Sequence, residues 1–262
     1  FAVGEPGQSQ GAAGAGGVVL WFGSASGPTR PVRLFGETEG AAAGSSLAAP
    51  GDVTGDGVAD LLVGAPSEGP TDDGTEAASL LPQGAVYVLA GPFEQDGPMS
   101  PVSVLRGAQP GDCAGSSLAA LGDTNGDGLG DFIVGSPCRG SVREVHEHLG
   151  QMMLWDGPGL AHLVTTVPAG DSDLSSAAAS FTGEETWDRF GAATAPLPDQ
   201  DGDGILDFAI AAPDYFGAEW INPEAQAHVY VFSSTSRGEI PLSAALATVS
   251  GGCCGFGRHD EA

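Results

Sequence analysis

Residues 51–66 read GDVTGDGVADLLVGAP, and the chain repeats the pattern as GDTNGDGLGDFIVGSP over 122–137 and PDQDGDGILDFAIAAP over 198–213. Each copy sets oxygen-bearing side chains at positions 1, 3, 5 and 9 of a short loop. They are Asp52, Thr54, Asp56 and Asp60, then Asp123, Asn125, Asp127 and Asp131, then Asp199, Asp201, Asp203 and Asp207. Hard cations such as calcium take six to eight oxygen ligands. Alternate side chains plus the backbone carbonyl of position 7 (Val58, Leu129, Ile205) can wrap one ion, with Gly at position 6 permitting the sharp turn. Carboxylates gathered this closely repel by roughly 4 kcal/mol per pair at 4 Å in a surface-like dielectric. About three structural Ca2+ ions are therefore expected. Asp/Gly-rich surface turns without metal are the competing reading, but three copies keep their acidic positions while the intervening residues change.

The loops are not EF-hands. An EF-hand carries a bidentate Glu at position 12 and opens into a helix, whereas position 12 here is Val63, Val134 or Ile210. LLVGAP, FIVGSP and FAIAAP are short apolar runs stopped by Pro, which is a strand signal.

Self-comparison extends the pattern across the chain. Pro recurs at 6, 66, 137 and 213, and a Gly before each loop at 44, 115, 191 and 257, spacings of 60 to 76 residues. A third element is GVVLWFG (17–23), GAVYVLAG (84–91), GQMMLWDG (150–157) and AHVYVFSS (227–234). A fourth is PVRLFG (31–36), PVSVLRG (101–107), LVTTVPAG (163–170) and ALATVSG (245–251). In the third element both alternate sets are apolar, Val86 and Val88 on one side and Tyr87 and Leu89 on the other, as in a strand covered on both faces. Each unit thus holds four strands, with the acidic loop joining the first to the second. The predicted fold is all-β, a β-propeller whose four-stranded blades bury one another. One blade ends over 1–35, whole blades span 36–106, 107–182 and 183–250, and a further blade begins in 251–262. Phe1 falls in register with Phe132 and Phe208, so the sequence reads as a fragment that opens mid-repeat. The lack of a signal peptide at residue 1 then carries no information. Exposed sheet faces at both ends of such an arc are expected to promote association or unfolding.

Composition narrows the partners. Thirty-four acidic residues against eight Arg and no Lys give a net charge of -26, which argues against nucleic acid or an anionic membrane. No run approaches the ~18 apolar residues of a membrane span. Counted back from the loop ends Asp123 and Asp131, Cys113 and Cys138 fall nearly opposite each other. The equivalent positions one unit on are Arg189 and Asp214, an opposite-charge pair. A Cys113–Cys138 disulfide is expected, and with it an oxidising compartment; two buried free thiols are the alternative. Cys253 and Cys254 have no assigned partner.

Catalytic patterns do not converge. His146, Glu147 and His148 lack the helical spacing of a zinc HExxH site, GSSLA at 44–48 and 115–119 is not a GxSxG elbow, and neither Asn125 nor Asn222 lies in a glycosylation sequon. The second-to-third strand connections, 67–83, 138–149 and 214–226, should occupy the face opposite the acidic loops. Long loops on a rigid scaffold commonly carry binding. Tyr215, Phe216 and Trp220 are the candidate contact cluster there, with packing under their own loop as the alternative.

Phe190-Gly191 and Phe256-Gly257 before the loops, Gly64-Ala65-Pro66 after one, and the DxDGDGxxD-type loop between resemble the FG-GAP repeat of integrin alpha-subunit N-terminal β-propellers. Ala43-Gly44 and Ala114-Gly115 replace Phe-Gly in two units, and Gly135-Ser136-Pro137 and Ala211-Ala212-Pro213 depart from Gly-Ala-Pro. The resemblance spans essentially the whole chain. It implies seven blades, about 450 residues or more, of which this chain supplies about half. It also implies that the face opposite the acidic loops meets ligand and partner subunit. The expected function is an extracellular, secreted or cell-surface calcium-binding module that recognises protein or glycan in cell adhesion, with no catalytic residues of its own. The alternative is the non-catalytic propeller of a secreted phospholipase-type or glycan-active enzyme.

Overall fold

The structure is a computed structural model describing residues 1–24, 27–28, 30–69, 81–138, 141–144, 151–154, 157–184, 188–213 and 226–252. Short β-branched and aromatic runs punctuated by Gly and Pro fold into four successive antiparallel sheets. The first contains β1 (Ala2–Gly4), β2 (Gly17–Leu20) and β5 (Val32–Phe35), with a small hairpin of β3 (Gly23–Ser24) and β4 (Gly27–Pro28) between the last two. The second contains β6 (Ser46–Gly51), β7 (Asp60–Ala65), β8 (Ala85–Leu89) and β10 (Ser103–Arg106), with β9 (Gly97–Pro98) before β10. The third contains β11 (Ser117–Gly122), β12 (Asp131–Ser136), β15 (Leu160–Val164) and β17 (Ala179–Thr182). β13 (Ser141–Glu144) and β14 (Gln151–Leu154) form a separate hairpin, and β16 (Gly170–Asp173) precedes β17. The fourth contains β18 (Ala193–Leu197), β19 (Asp207–Ala212), β20 (Gln226–Phe232) and β22 (Ala247–Gly252), with β21 (Gly238–Ile240) before β22.

The sheets stack face to face, and the period of two along each strand explains how. On β7, Leu61, Val63 and Ala65 enter a core shared with Val18, Leu20 and Val32 of the first sheet. Leu62, one residue out of phase, enters a core shared with Phe132 and Val134 of the third. On β12, Ile133 turns the other way and packs with Phe208, Ile210 and Phe232 of the fourth. Each central strand is therefore apolar on both faces, and the described residues form an open arc of propeller blades. Among those residues, no helix is long and apolar enough to cross a membrane.

The two signature glycine positions meet across the blade junction. A Cβ on Gly64, at the end of β7, would sit 2.1 Å from the Gly115 carbonyl oxygen of the next blade, and one on Gly135 would sit 2.0 Å from that of Gly191. Ser46 and Ser117 each donate a hydroxyl hydrogen bond to the same carbonyls, at 2.7 and 2.9 Å. Phe190 is fully buried at the junction, and Ala43 and Ala114 fill the equivalent places in other blades.

Two features depart from the sequence reading. In the third sheet the third strand is β15, not the 150–157 run, and the fourth is β17, not 163–170. Residues 151–154 pair instead with 141–144. β15 is apolar and buried on both faces, with Leu160, Ala161, Leu163 and Val164 all buried. Second, each third-to-fourth connection adds a parallel strand to the preceding blade: β9 pairs with β5, β16 with β10, and β21 with β17. Four strands per unit were expected, and this clasp between blades was not.

Candidate metal centres

Each acidic loop is the hairpin turn between the first two strands of its blade, β6–β7, β11–β12 and β18–β19. All three lie at the same end of the blades. The position-1 carboxylate nucleates the turn. Asp52 accepts backbone N–H bonds from Gly55 at 2.6 Å and Gly57 at 2.7 Å. Asp123 does so from Gly126 and Gly128 at 2.7 and 2.8 Å, and Asp199 from Gly202 and Gly204 at 2.6 and 2.8 Å. Such bonds favour the charged form. The Gly57 amide foremost holds Asp52 below the usual carboxylate value, as the Gly128 amide does Asp123 and the Gly202 amide does Asp199. Position 5 caps the second half of the turn, with Asp56, Asp127 and Asp203 accepting from the position-7 amides of Val58, Leu129 and Ile205 at 2.7, 2.8 and 2.8 Å.

Position 9 behaves differently. Asp60, Asp131 and Asp207 are buried where the second strand begins. One oxygen of each accepts an amide hydrogen bond from across the loop: Val53 to Asp60 at 2.9 Å, Thr124 to Asp131 at 2.8 Å and Gln200 to Asp207 at 2.7 Å. The other oxygen distinguishes the sites. Asp60 Oδ1 accepts from the Gly91 amide at 3.3 Å, whereas Asp131 Oδ1 is buried without a hydrogen-bond partner. Asp207 Oδ1 is buried with none in good hydrogen-bond geometry, although the Ser234 amide, at the place of Gly91, is near enough to favour its charged form. Burial is the main influence pushing both of these carboxyls above the ordinary value. Asp127 and Asp123 add to it for Asp131, and Asp201 and Asp203 for Asp207. An unsatisfied buried acceptor costs about 1–3 kcal/mol, more when charged. The pattern therefore fits a site that holds a cation.

The third loop comes closest to a formed site. Asp199, Asp201 and Asp207 bring one carboxylate oxygen each within 4.8 Å of one another. In the second loop, the Asn125 amide group is turned towards Asp127, donating at 2.9 Å. In the first, Thr54 replaces a carboxylate. Three contributors escaped the sequence reading: the Gly91 amide, the Thr124 hydroxyl that donates to Asp131, and the Ser234 hydroxyl that donates to the Leu206 carbonyl. They arrive from outside the 1-3-5-9 spacing, and no sequence signal marks them.

Cys113 and Cys138 are disulfide-bonded, with Cα atoms 5.5 Å apart, just beyond the paired ends of β11 and β12. At the same end of the second blade, buried Glu68 accepts the Tyr87 hydroxyl and pairs with Arg106 at 2.8 Å. Arg106 in turn lies 3.6 Å from Asp171 on β16, so the charge also ties the clasp strand. Tyr215, Phe216, Trp220, Asp214, Cys253, Cys254, His146, Glu147 and His148 lie outside the described residues.

Residues 43–89 match the family model described as FG-GAP repeat. The chain is 34% identical over 160 residues to integrin alpha-IIb of Mus musculus, covering 60% of this chain and 13% of that protein. It is 30% identical over 191 residues to integrin alpha-V of Gallus gallus, covering 72% and 15%. It is 32% identical over 168 residues to phosphatidylinositol-glycan-specific phospholipase D of Rattus norvegicus, covering 62% and 17%. The matches thus span less than a fifth of the length of these relatives. Strand pattern, glycine interlock and sequence agree: this is an FG-GAP repeat protein, a propeller arc similar to that of integrin alpha subunits.

Proposed function

We propose that the chain is a calcium-stabilised extracellular recognition module. Its acidic loops hold structural ions through Asp52, Thr54, Asp56, Val58 and Asp60, through Asp123, Asn125, Asp127, Leu129 and Asp131, and through Asp199, Asp201, Asp203, Ile205 and Asp207. The observation that carries this reading is the buried carboxylate oxygen Asp131 Oδ1, which has no hydrogen-bond partner, with Asp207 Oδ1 poorly satisfied at the same place in the third loop, each at the base of a loop whose remaining donors face solvent. A bound divalent cation supplies positive charge and ligand positions for these oxygens. The loop's own amides hold the position-1 and position-5 carboxylates in place. The Cys113–Cys138 disulfide supports an oxidising, extracellular setting. Recognition of protein or glycan, with Tyr215, Phe216 and Trp220 as contact residues, rests on the similarity to integrin alpha subunits and on the long connections opposite the loops.

A second reading is favoured by the phospholipase D relative: the propeller serves as the non-catalytic part of a secreted enzyme. Both readings share the ions. Thermal unfolding in millimolar calcium, in magnesium and in chelator tests them. Ligand at 100 times its dissociation constant stabilises by about 2.7 kcal/mol per site, so a clear calcium-selective rise in the midpoint is expected. A folded protein whose midpoint ignores calcium would sink the ion reading.

A further inference from the structure

The first two acidic loops touch, and the third stands apart. The Gly130 amide, at position 8 of the second loop, donates a 2.7 Å hydrogen bond to the backbone carbonyl of Asp52, position 1 of the first. The approach is close enough that a Cβ on Gly130 would lie 2.3 Å from the Pro50 carbonyl oxygen. Beside it, Leu129 Cδ2 comes within 3.8 Å of where a side chain on Gly55 would begin. The third loop carries Leu206 at position 8, 44% exposed. Among the described residues, no hydrogen bond joins the third loop to the second.

The joined atoms belong to the residues that the ion reading uses. Gly130 N–H and Leu129 C=O are the two ends of one peptide group, and Leu129 supplies the position-7 carbonyl ligand of the second loop. On the other side of the bond, Asp52 is the first ligand of the first loop. Polarising a peptide carbonyl strengthens the donor at its other end, as in any hydrogen-bonded chain. Fixing Asp52 for one ion likewise fixes the acceptor that orients the Leu129–Gly130 peptide for the other. Building on the calcium reading above, we infer that the first and second loops take up their ions as a coupled pair through the Gly130–Asp52 bond, while the third loop binds independently. By linkage the coupling is reciprocal: each ion raises the other's affinity by the same factor.

Calorimetric titration of the whole chain with calcium tests this, starting from an Asp203→Ala variant in which only the first two loops retain their ligand sets. Two-step binding is expected, the second step tighter than the statistical value by about five-fold or more. Introducing Gly130→Ala into that background separates the loops and should return the two steps to independence. The fold is checked by the far-ultraviolet spectrum and by the unchanged isotherm of the third loop when Gly130→Ala is made alone. Independent stepwise constants in the Asp203→Ala protein, or an unchanged coupling after Gly130→Ala, would overturn the inference while leaving the ion reading standing. No calcium uptake by the parent chain at all would overturn both.

Discussion

Asp131 and Asp207 have opposite consequences with and without an ion. Their carboxyls are raised above the ordinary value by burial, so the ion-free folded state holds a proton more tightly than the unfolded chain. Their contribution to stability therefore falls as pH rises from the unfolded carboxylate value, about 4, through the raised value. Asp52, Asp123 and Asp199 run the other way: their carboxyls are lowered. They stabilise above about pH 4 and lose that contribution as pH falls through the lowered values. As pH falls, protons compete with calcium for the position-9 pair more strongly than for an ordinary carboxylate. The calcium-induced rise in unfolding midpoint should accordingly shrink as pH is lowered towards the carboxylate range, read by calorimetry at several pH values. Asp207→Asn should be neutral or stabilising in chelator above the carboxylate range, because the substitution removes the cost of ionising a buried carboxyl. In calcium it should lose the third loop's share of the rise. A large loss in chelator would contradict this account.

At the scale of the element, the junction between blades sets the tolerance to change. Gly64 faces the Gly115 carbonyl of the next blade, where an added Cβ would lie 2.1 Å from backbone. Gly64→Ala should therefore destabilise by more than about 2 kcal/mol, measured by urea unfolding, whereas Gly7→Ala, which meets nothing within 4 Å, should change little. The Cys113–Cys138 bridge closes a separation of 25 residues, which in the chain-entropy account is worth about 3 kcal/mol. Reduction, or the double Ser variant, should lower the urea midpoint accordingly. The parallel strands β9, β16 and β21 bind each blade to its predecessor, so these losses should spread to neighbouring blades rather than stay local.

On the scale of the whole molecule, stability depends on neighbours, as in other stacked repeats. The fourth sheet leaves Val229 and Val249 38% and 65% exposed on paired positions of β20 and β22. An apolar sheet face of this kind promotes association. Sedimentation of the 262-residue chain should show concentration-dependent association. A compact monomer at all concentrations would count against it.

Much of the architecture was legible in the sequence because it is periodic. The loop spacing, the two-sided apolar strands at 84–91 and 227–234, the sheet class and the Cys113–Cys138 pairing all follow from local rules: side chains alternate every two residues along a strand, and hairpins bring defined positions together. The candidate ligands were legible for the same reason, being contiguous. Other features were decided by tertiary structure alone. Between 150 and 182, β15 and β17 became the blade strands while 151–154 paired with 141–144, a choice of strand partner that the sequence pattern leaves open. The parallel clasp strands depended on a backbone edge left open by the preceding blade. The inequality of the three loops came from atoms far away in sequence: the Gly91 amide that satisfies Asp60, the missing partner of Asp131 Oδ1, and the Gly130 amide that reaches Asp52. Spacing determines which oxygens can gather, but only packing between blades determines which of them remain unsatisfied, because hydrogen-bond partners are supplied by whatever backbone the fold brings alongside.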